Sequence, residues 1–334
     1  MHFISLIIPT FNRVTYLDKI LRSIINIDPN KLKEIIIVDS YSNDGTFELI
    51  KYYQKEYHFQ IIYINTINSI SEKRNQGIEK SSYDFLVFLD DDCVPSKNFF
   101  EHHYKSCLDG EYVINCGNIY FSNESISNSN VIKYRNSRHL PFITNDDNHK
   151  ELGFQNIVTM NMSLRKSNLL DKNLKFNNSF QGYGMEDNYF GLEAMNKGFK
   201  IVSNKASITH YDHNGIGLHT IKLYNTALGG ISKFKKLNQN AVWDLNYSFF
   251  LESDYPHKNI LYKIISQICR LCLNFKIAKL IRTSLIFTDK KSYLYSRTLY
   301  RYVCASFYLK GVVDRKKKVI NYENLENWYE NRPK

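Results

Sequence analysis

The chain has 334 residues, of which 43% are hydrophobic, and this length suits one large α/β domain with an appendage. No apolar run reaches the roughly 18 residues that a membrane-spanning helix needs, so the sequence predicts no such helix. The formal net charge is +11. A strand pattern begins within a few residues of Met1 and leaves no room for a signal peptide, so we expect a cytoplasmic protein. Its six cysteines should then be reduced.

The first 120 residues alternate between strand and helix patterns. Continuous apolar runs bounded by polar residues are typical of strands buried on both faces, as in parallel α/β sheets. The predicted strands are Ile4–Pro9, Glu34–Asp39, Phe59–Asn65, Phe85–Leu89 and Tyr112–Phe121. The predicted helices are Val14–Ile27, Phe47–Lys55, Ser71–Glu79 and Asn98–Ser106. Repeated β-α-β units predict a mostly parallel sheet with right-handed crossovers.

The second part of the chain has weaker alternation. Residues 122–150 are polar and rich in Asn and Ser, which predicts a mobile surface loop. The patterns that follow predict a strand at Ile157–Leu164, a loop and helix over Phe176–Ala194, and a strand at Phe199–Tyr211. From about residue 217 onward the spacing is mainly helical.

The positive charge is concentrated at the C-terminal end. Residues 255–334 contain 17 Lys and Arg against 5 Asp and Glu, whereas residues 1–254 contain 27 against 28. A basic segment behind a nearly neutral body predicts an anionic partner, and a basic helical cap on the fold is the alternative. In 260–287 Lys and Arg fall beside an apolar helical stripe, so we favour a membrane surface, with the Arg315–Lys318 run as a further lipid contact, over nucleic acid.

An acidic cluster closes the fourth predicted strand, where Asp90, Asp91 and Asp92 follow Leu89. Ligands of open α/β sheets bind at the carboxyl ends of the strands. Three carboxylates placed there repel each other unless a cation lies among them, and hard divalent ions commonly bring substrate phosphates with them. The cluster therefore indicates a metal–diphosphate site, and a solvated acidic turn is the alternative.

Other polar groups follow neighbouring strand ends: Thr10 and Asn12 after the first strand and Asp39 at the end of the second. Neither G-x-G-x-x-G after the first strand nor G-x-x-x-x-G-K-[ST] occurs, which argues against a dinucleotide fingerprint and a P-loop. The diphosphate would then be neutralised by metal and by side chains such as those of Lys73-Arg74-Asn75. A surface salt bridge is the alternative for Arg74.

A second cluster, Gly182-Tyr183-Gly184-Met185-Glu186-Asp187, precedes a predicted helix. Its carboxylates could take a proton from an attacking hydroxyl or simply cap the helix. Further on, a strand ends at His210-Tyr211-Asp212-His213. Histidine completes many metal shells begun by carboxylates, so we predict His210 as a ligand and rank His213 below it.

These motifs together resemble family 2 glycosyltransferases of the GT-A fold, in particular bacterial capsule and surface-polysaccharide enzymes. The resemblance covers about residues 3–215 in the family's order. It is carried by SLIIPTFN (Ser5–Asn12), IVDSYSNDGT (Ile37–Thr46), KRNQG (Lys73–Gly77), FLDDDCVP (Phe88–Pro95) and GYGMED (Gly182–Asp187). Two departures are Ser40, where many members have a second aspartate, and Tyr183 in place of a frequent tryptophan. They affect the nucleobase contacts and the acceptor class.

The resemblance implies a nucleotide-diphosphate sugar as donor, most often a UDP-sugar, and a divalent metal, Mn²⁺ or Mg²⁺. It implies the following roles for individual residues. Pro9, Thr10, Asn12 and Asp39 would lie near the nucleobase, Arg74 and Asp91 near the nucleotide, Asp90 towards ribose and metal, and Asp92 and His210 on the metal, with Asp187 as the base and Glu186 beside it.

We therefore predict an α/β GT-A catalytic domain at 1–216, with a nucleotide-sugar half at 1–120 and an acceptor half at 121–216, followed by a helical extension at 217–334. The predicted activity is metal-dependent, inverting transfer of a sugar to a glycan or lipid-linked saccharide at the inner face of the cell membrane. A homo-oligomer is compatible with this prediction. The alternatives are a sugar nucleotidyltransferase, which usually carries a Gly-rich basic loop after the first strand, and a non-catalytic nucleotide-sugar-binding subunit.

Overall fold

The structure is a computed structural model that describes residues 2–27, 30–57, 59–138, 149–180, 183–211, 214–245 and 260–317, apart from the side chain of Tyr262. The chain forms two compact units, each assembled from separate segments. Unit 1 comprises Met1–Ser122, His139–Asn178 and Asp187–Asp212, and unit 2 comprises Asn123–Arg138, Ser179–Glu186 and His213–Lys334. The predicted division at residues 216 and 217 stays a prediction.

The strands in chain order are β1 (Ile4–Pro9), β2 (Leu32–Asp39), β3 (Gln60–Asn65), β4 (Phe85–Leu89), β5 (Cys93–Pro95), β6 (Val113–Tyr120), β7 (Glu151–Leu152), β8 (Asn161–Arg165) and β9 (Lys200–His210). The first eight α-helices are α1 (Val14–Asn26), α2 (Thr46–Glu56), α3 (Ile70–Lys80), α4 (Phe99–Leu108), α5 (Asn123–Asn128), α6 (Asn130–Asn136), α7 (Lys166–Asp171) and α8 (Glu186–Asn196). The others are α9 (Ile216–Asn225), α10 (Ile231–Leu237), α11 (Ile260–Cys272), α12 (Phe275–Thr288) and α13 (Arg297–Lys317).

The sheet of unit 1 begins as the predicted parallel β-α-β structure. β3, β2, β1 and β4 are adjacent in this order, and every pair is parallel. All five residues of β4 and all six of β1 are buried, as the continuous apolar runs predict. Their side chains pack with α1 residues such as Leu17 and Ile20 in one hydrophobic core.

Beyond β4 the sheet is mixed, which corrects the prediction of a mostly parallel sheet for this half. β8 runs antiparallel to both β4 and β6, β6 is parallel to β9, and β5 and β7 are antiparallel to β9. The predicted strand Ile157–Leu164 begins only at Asn161, and the three-residue β5 was not predicted. Short strands such as β5 are fixed by their partner rather than by an apolar run of their own.

The predicted mobile loop at 122–150 is wrong for the part that the structure describes, because it contains α5 and α6. Within unit 2 the start of α6 is held by Asp289, whose carboxylate accepts hydrogen bonds from the Ser129 hydroxyl at 2.7 Å and from the Val131 backbone N–H at 2.8 Å. The Ser129 hydroxyl also accepts a hydrogen bond from the Ile132 N–H, as a helix N-cap does. Contacts with a residue so distant in sequence cannot be read from local composition.

Unit 2 is mainly helical, as predicted. Its helices pack closely where Gly311 of α13 meets α9, because a side chain at Gly311 would overlap the Tyr224 carbonyl oxygen. Ala227, Tyr308, Leu309 and Val312 form a small buried core there. In the part of the chain that the structure describes, no helix is both long and apolar enough to cross a bilayer.

Candidate functional site

Unit 1 brings the predicted polar residues together at the carboxyl edge of its parallel strands. Thr10 follows β1, Asp39 ends β2, and Asp90–Asp92 follow β4, while the register pairs Ile8 with Ile37 and Ile7 with Phe88. The three strands run side by side in the same direction, so these strand ends share one edge. This is the edge at which such sheets bind ligands.

Asp91 is the inner member of the acidic cluster. Its carboxylate is buried and accepts a hydrogen bond from the Thr10 hydroxyl at 2.8 Å and another from Arg13 Nη1 at 2.6 Å. The two contacts tie the loop after β1 to the loop after β4. The Asp91 carboxylate is therefore bound by protein groups, and its hydrogen bonds help to position the neighbouring acids.

Asp92 lies between the side chains of Arg13 and His210. Arg13 Nη1 donates to one carboxylate oxygen at 2.9 Å, and His210 Nε2 lies 3.3 Å from the other. β5 pairs with β9 so that Cys93 faces His210 in the register, which carries His210 to Asp92. Burial alone would raise the pKa of Asp92, but His210 and Arg13 outweigh it and hold this pKa well below its usual range. Asp92 is therefore an ionised, buried carboxylate.

Asp90 and Asp187 share Arg74. The guanidinium is almost fully buried, with Nη1 donating to Asp187 at 2.7 Å and Nη2 3.6 Å from Asp90. The second oxygen of Asp187 accepts a hydrogen bond from the Thr159 hydroxyl at 2.8 Å. Burial raises the pKa of Asp90 to about 6, although Arg74 opposes the shift. Arg74 thus joins the acidic cluster to Asp187 within unit 1.

Lys73 and Asn75, the neighbours of Arg74, donate hydrogen bonds to backbone carbonyl oxygens. Lys73 Nζ donates to the Thr10 carbonyl oxygen at 2.8 Å, and the Asn75 side chain donates to the Phe176 carbonyl oxygen at 2.9 Å. Within the predicted phosphate-binding trio, Arg74 pairs with the carboxylates of Asp90 and Asp187.

Asp39 is completely buried and holds the turn after β2. Its carboxylate accepts hydrogen bonds from the Ser42 backbone N–H at 2.9 Å, from the Ser42 hydroxyl at 2.5 Å and from the Tyr63 hydroxyl at 2.7 Å. Asn12 closes the same region: its N–H donates to Ser42 Oγ, and its side-chain oxygen accepts from the Asn43 N–H. Pro9 is buried at the end of β1. These residues shape the edge, and their predicted contacts with a nucleobase stay predictions.

The donor set fits a divalent cation. Among the described residues, one group of three potential ligand atoms lies within 4.8 Å of one another, from Asp92, Cys93 and His210. Carboxylate oxygen and imidazole nitrogen suit ions such as Mn²⁺. Burial raises the pKa of the Cys93 thiol well above its usual range, and Cys93 belongs to the hydrophobic core. Asp90 lies outside this group, beside Arg74.

Two arginines of the protein already contact the acidic cluster, so the charge of the cluster does not by itself predict a metal. Arg13 contacts Asp91 and Asp92, and Arg74 contacts Asp90. The repulsion among the three carboxylates is thus reduced without a metal. The case for a metal rests on the Asp92–His210 pair, and the acids alone do not require one.

Glu186 belongs to unit 2, and Asp187 belongs to unit 1. Glu186 is the half-buried first residue of α8. Before it, Gly184 has a φ of 88°, which an L side chain rarely adopts, and Met185 has a φ of 79°. Gly182 and His213 lie outside the described residues, as does Lys318 of the basic run.

Sequence reasoning missed Arg13 and Thr159. Arg13 directly follows the PTFN motif at the start of α1, so a cation there faces whatever lies at the neighbouring strand ends. The position of Arg13 after the first strand could therefore have indicated a contact with the acidic cluster. Thr159 precedes β8 in an irregular segment and has no local signature, because only the fold brings it to Asp187.

Comparisons with known proteins show the family to which the chain belongs. The model of the family described as Glycosyl transferase family 2 matches residues 5–170, about half of the chain, which contains every residue of the acidic cluster. The chain belongs to the family 2 glycosyltransferases. The predicted family resemblance is thereby confirmed.

Two curated relatives illustrate the similarity. The dolichyl N-acetyl-alpha-D-glucosaminyl phosphate 3-beta-D-2,3-diacetamido-2,3-dideoxy-beta-D-glucuronosyltransferase of Methanococcus voltae is 36% identical over 113 residues, which are 32% of this chain and 34% of that protein. The GalNAc(5)-diNAcBac-PP-undecaprenol beta-1,3-glucosyltransferase of Campylobacter jejuni is 38% identical over 92 residues, 27% of this chain and 29% of that protein. The chain thus matches about a third or less of the length of these relatives.

Solved structures share the fold. The mannosyltransferase PcManGT of Pyrobaculum calidifontis, in complex with GDP-Man and Mn²⁺, aligns with a TM-score of 0.56 at 12% identity, over 94% of this chain and 87% of that one. Residues 1–349 of S. aureus TarS, in complex with UDP-GlcNAc, align with a TM-score of 0.50 at 15% identity, over 95% and 92%. The likeness at these identities concerns the fold alone, and it confirms the predicted GT-A class.

Proposed function

We propose that the protein is a metal-dependent glycosyltransferase that moves a sugar from a nucleotide-diphosphate sugar to a hydroxyl group of a glycan acceptor. One observation carries the proposal. The Asp92–His210 pair and the Arg74–Asp187 pair lie at one edge of the unit 1 sheet and are linked through Asp90, which contacts Arg74. This edge offers a cation site and a positioned carboxylate together.

Asp187 is the proposed base. A carboxylate within reach of an acceptor hydroxyl can accept its proton as the oxygen attacks the anomeric carbon. The two hydrogen bonds from Arg74 and Thr159 fix the direction of the carboxylate. Direct attack of this kind inverts the anomeric configuration and needs no covalent intermediate. Glu186, the neighbouring residue in the chain, is the proposed acceptor- or donor-sugar contact.

Arg74 and Arg13 are the proposed cations for the phosphate groups. Each guanidinium is already held by carboxylates, so it stays ionised and oriented before substrate arrives. A preorganised positive charge stabilises the negative charge that develops on a departing nucleoside diphosphate. A Mn²⁺ or Mg²⁺ ion on Asp92 and His210, with Asp90 nearby, would add Lewis-acid stabilisation of the same charge.

The donor and acceptor follow from similarity alone. The relatives named above act, by their names, on polyprenyl-linked saccharides, and two structural neighbours hold GDP-Man and UDP-GlcNAc. We propose a UDP-sugar donor and a lipid-linked saccharide acceptor, with the enzyme at the inner face of the cell membrane. The concentration of positive charge in 255–334 supports that location.

A donor screen tests the proposal. The purified full chain with Mn²⁺ and each nucleotide sugar in turn should release nucleoside diphosphate slowly from one donor, and a chelator should stop the release. Asp92→Asn should lose this activity, whereas the matched control Glu101→Gln, at an exposed acid of α4, should keep it. Release that continues unchanged in excess chelator would disprove metal dependence. Failure with every donor would refute the proposed enzyme class.

A further inference from the structure

Helix α11 exposes its apolar stripe. The large side chains of Ile260, Ile264, Ile268 and Leu271 are 72%, 46%, 52% and 85% exposed, whereas Ser266 is buried. A helix on the surface of a globular protein normally buries its apolar face and exposes its polar one. α11 departs from this arrangement, because its large apolar side chains are exposed.

The exposed residues form one narrow stripe. Successive residues of an α-helix are rotated by about 100°, so positions 260, 264, 268 and 271 fall within a sector of about 80°. Ser266 lies on the far side of the helix by the same count. The stripe is thus a continuous apolar surface along the 13 residues of the helix. A surface of this kind indicates a partner that is itself apolar.

The apolar exposure continues into α12. Two residues separate the helices, and Asn274 caps α12 by accepting hydrogen bonds from the Lys276 and Ile277 N–H groups. The turn is held within unit 2, since the Tyr302 hydroxyl accepts a hydrogen bond from the Asn274 N–H at 3.0 Å. Leu280 and Phe287 of α12 are 74% and 78% exposed, while Ala278 and Leu285 are buried. One side of α12 therefore packs on unit 2 and another is open.

The charge of this surface has one sign. Residues 260–288 contain five Lys and Arg and no Asp or Glu. The two acids of the remaining described segment are turned inward: Asp289 accepts from the Ser129 hydroxyl, and Asp314 accepts from the Tyr224 hydroxyl. The surface therefore combines apolar side chains with a net positive charge.

We propose that α11 and α12 form a membrane-docking surface that lies in the headgroup region of an anionic lipid bilayer, with the α11 stripe inserted between the lipids. An apolar stripe flanked by cations is the property of helices that lie in such interfaces. A second copy of the chain is a poorer partner, because a two-fold interface would place the same cations against each other. The inference deepens the proposed function, since a lipid-linked acceptor is held in that bilayer.

Vesicle co-sedimentation of the full chain without donor tests the surface. Vesicles of phosphatidylcholine and phosphatidylglycerol should bind the protein, pure phosphatidylcholine should bind it weakly, and added salt should release it. Replacing Ile264→Ser and Leu271→Ser together should lower the partition coefficient by about tenfold for each side chain. The two side chains are 46% and 85% exposed, so the variant should change its melting temperature little. The matched control is Leu170→Ser, an equally exposed apolar residue of α7 in unit 1.

The lysines provide an independent arm. Lys263→Gln, Lys276→Gln and Lys279→Gln together should weaken binding to phosphatidylglycerol by about fivefold per residue, and Lys55→Gln with Lys105→Gln in unit 1 should not. Wild-type protein that stays in the supernatant at low salt would overturn the proposal. So would a wild-type dimer in light scattering that Leu271→Ser converts to a monomer, which would assign the stripe to a second copy. Donor hydrolysis in solution is measured separately, so vesicle binding without hydrolysis would refute only the proposed enzyme.

Discussion

Replacing Asp187→Asn isolates the proposed base, because it removes the charge while keeping the size of the side chain. In the structure one oxygen of Asp187 accepts from Arg74 at 2.7 Å and the other from Thr159 at 2.8 Å. An amide has a single acceptor oxygen, so the variant can keep one of these bonds but cannot take a proton. Loss of a general base costs about 10²–10⁴-fold in rate, which corresponds to about 3–5 kcal/mol in the activation barrier.

The assay should compare sugar transfer with nucleotide binding for the same variant. We expect transfer to a supplied acceptor to fall by that factor, while binding of nucleoside diphosphate with Mn²⁺, measured by calorimetry, changes by less than about tenfold. Glu186→Gln, the same chemical change one residue earlier in the chain at the proposed sugar contact, provides the comparison. A fully active Asp187→Asn protein beside an inactive Glu186→Gln protein would refute the assignment and make Glu186 the base.

Four further changes test the site and its support. Asp92→Ala should abolish Mn²⁺ binding, and calorimetric titration that gives wild-type affinity would contradict the metal site. Arg13→Gln should lower the free energy of unfolding by about 3 kcal/mol in urea, because Asp91 and Asp92 lose a shared buried cation, and a loss below about 1 kcal/mol would show that the pair is dispensable. Burial lowers the pKa of His103 to about 3, so the unfolded chain binds the extra proton first as the pH falls below about 6.5. The stability that this group contributes is complete above about pH 6.5 and is lost progressively down to about pH 3. Urea unfolding at several pH values should therefore show a shallower acid loss for His103→Gln than for the wild type. Gly77→Ala should destabilise the fold by about 1–3 kcal/mol, because the new methyl group would overlap Cγ2 of Ile7 in β1, and thermal melting together with the double variant carrying Ile7→Ala, which removes that carbon, checks the cause.

The sequence was sufficient for the parallel half of the sheet, because β1, β2 and β4 are continuous apolar runs whose residues are mostly buried. β1, β2 and β4 were predicted to within two residues, and their polar ends do meet at one edge. The contact of His210 with Asp92 followed from the strand end of β9 and the family motif. For these residues the local sequence pattern and the tertiary packing favour the same structure.

The remaining features depend on contacts that no local pattern encodes. α6 begins where it does because Asp289 receives its first N–H groups, and β5 exists because β9 offers it a partner. The direction of β8 follows from its place between β4 and β6. The repulsion within the acidic cluster predicted an external cation, whereas Arg13 of the same chain already supplies one.

The pairing of β5 with β9 also fixes the order in which the site can be completed during synthesis. Asp92 leaves the ribosome more than a hundred residues before His210, and at about 5–20 residues per second this interval is on the order of ten seconds. Throughout it the nascent chain has the acids and Arg13 but lacks the imidazole that accompanies Asp92. The first half of the sheet can therefore form early, whereas His210 reaches Asp92 only after β9 has been synthesised and has paired with β5.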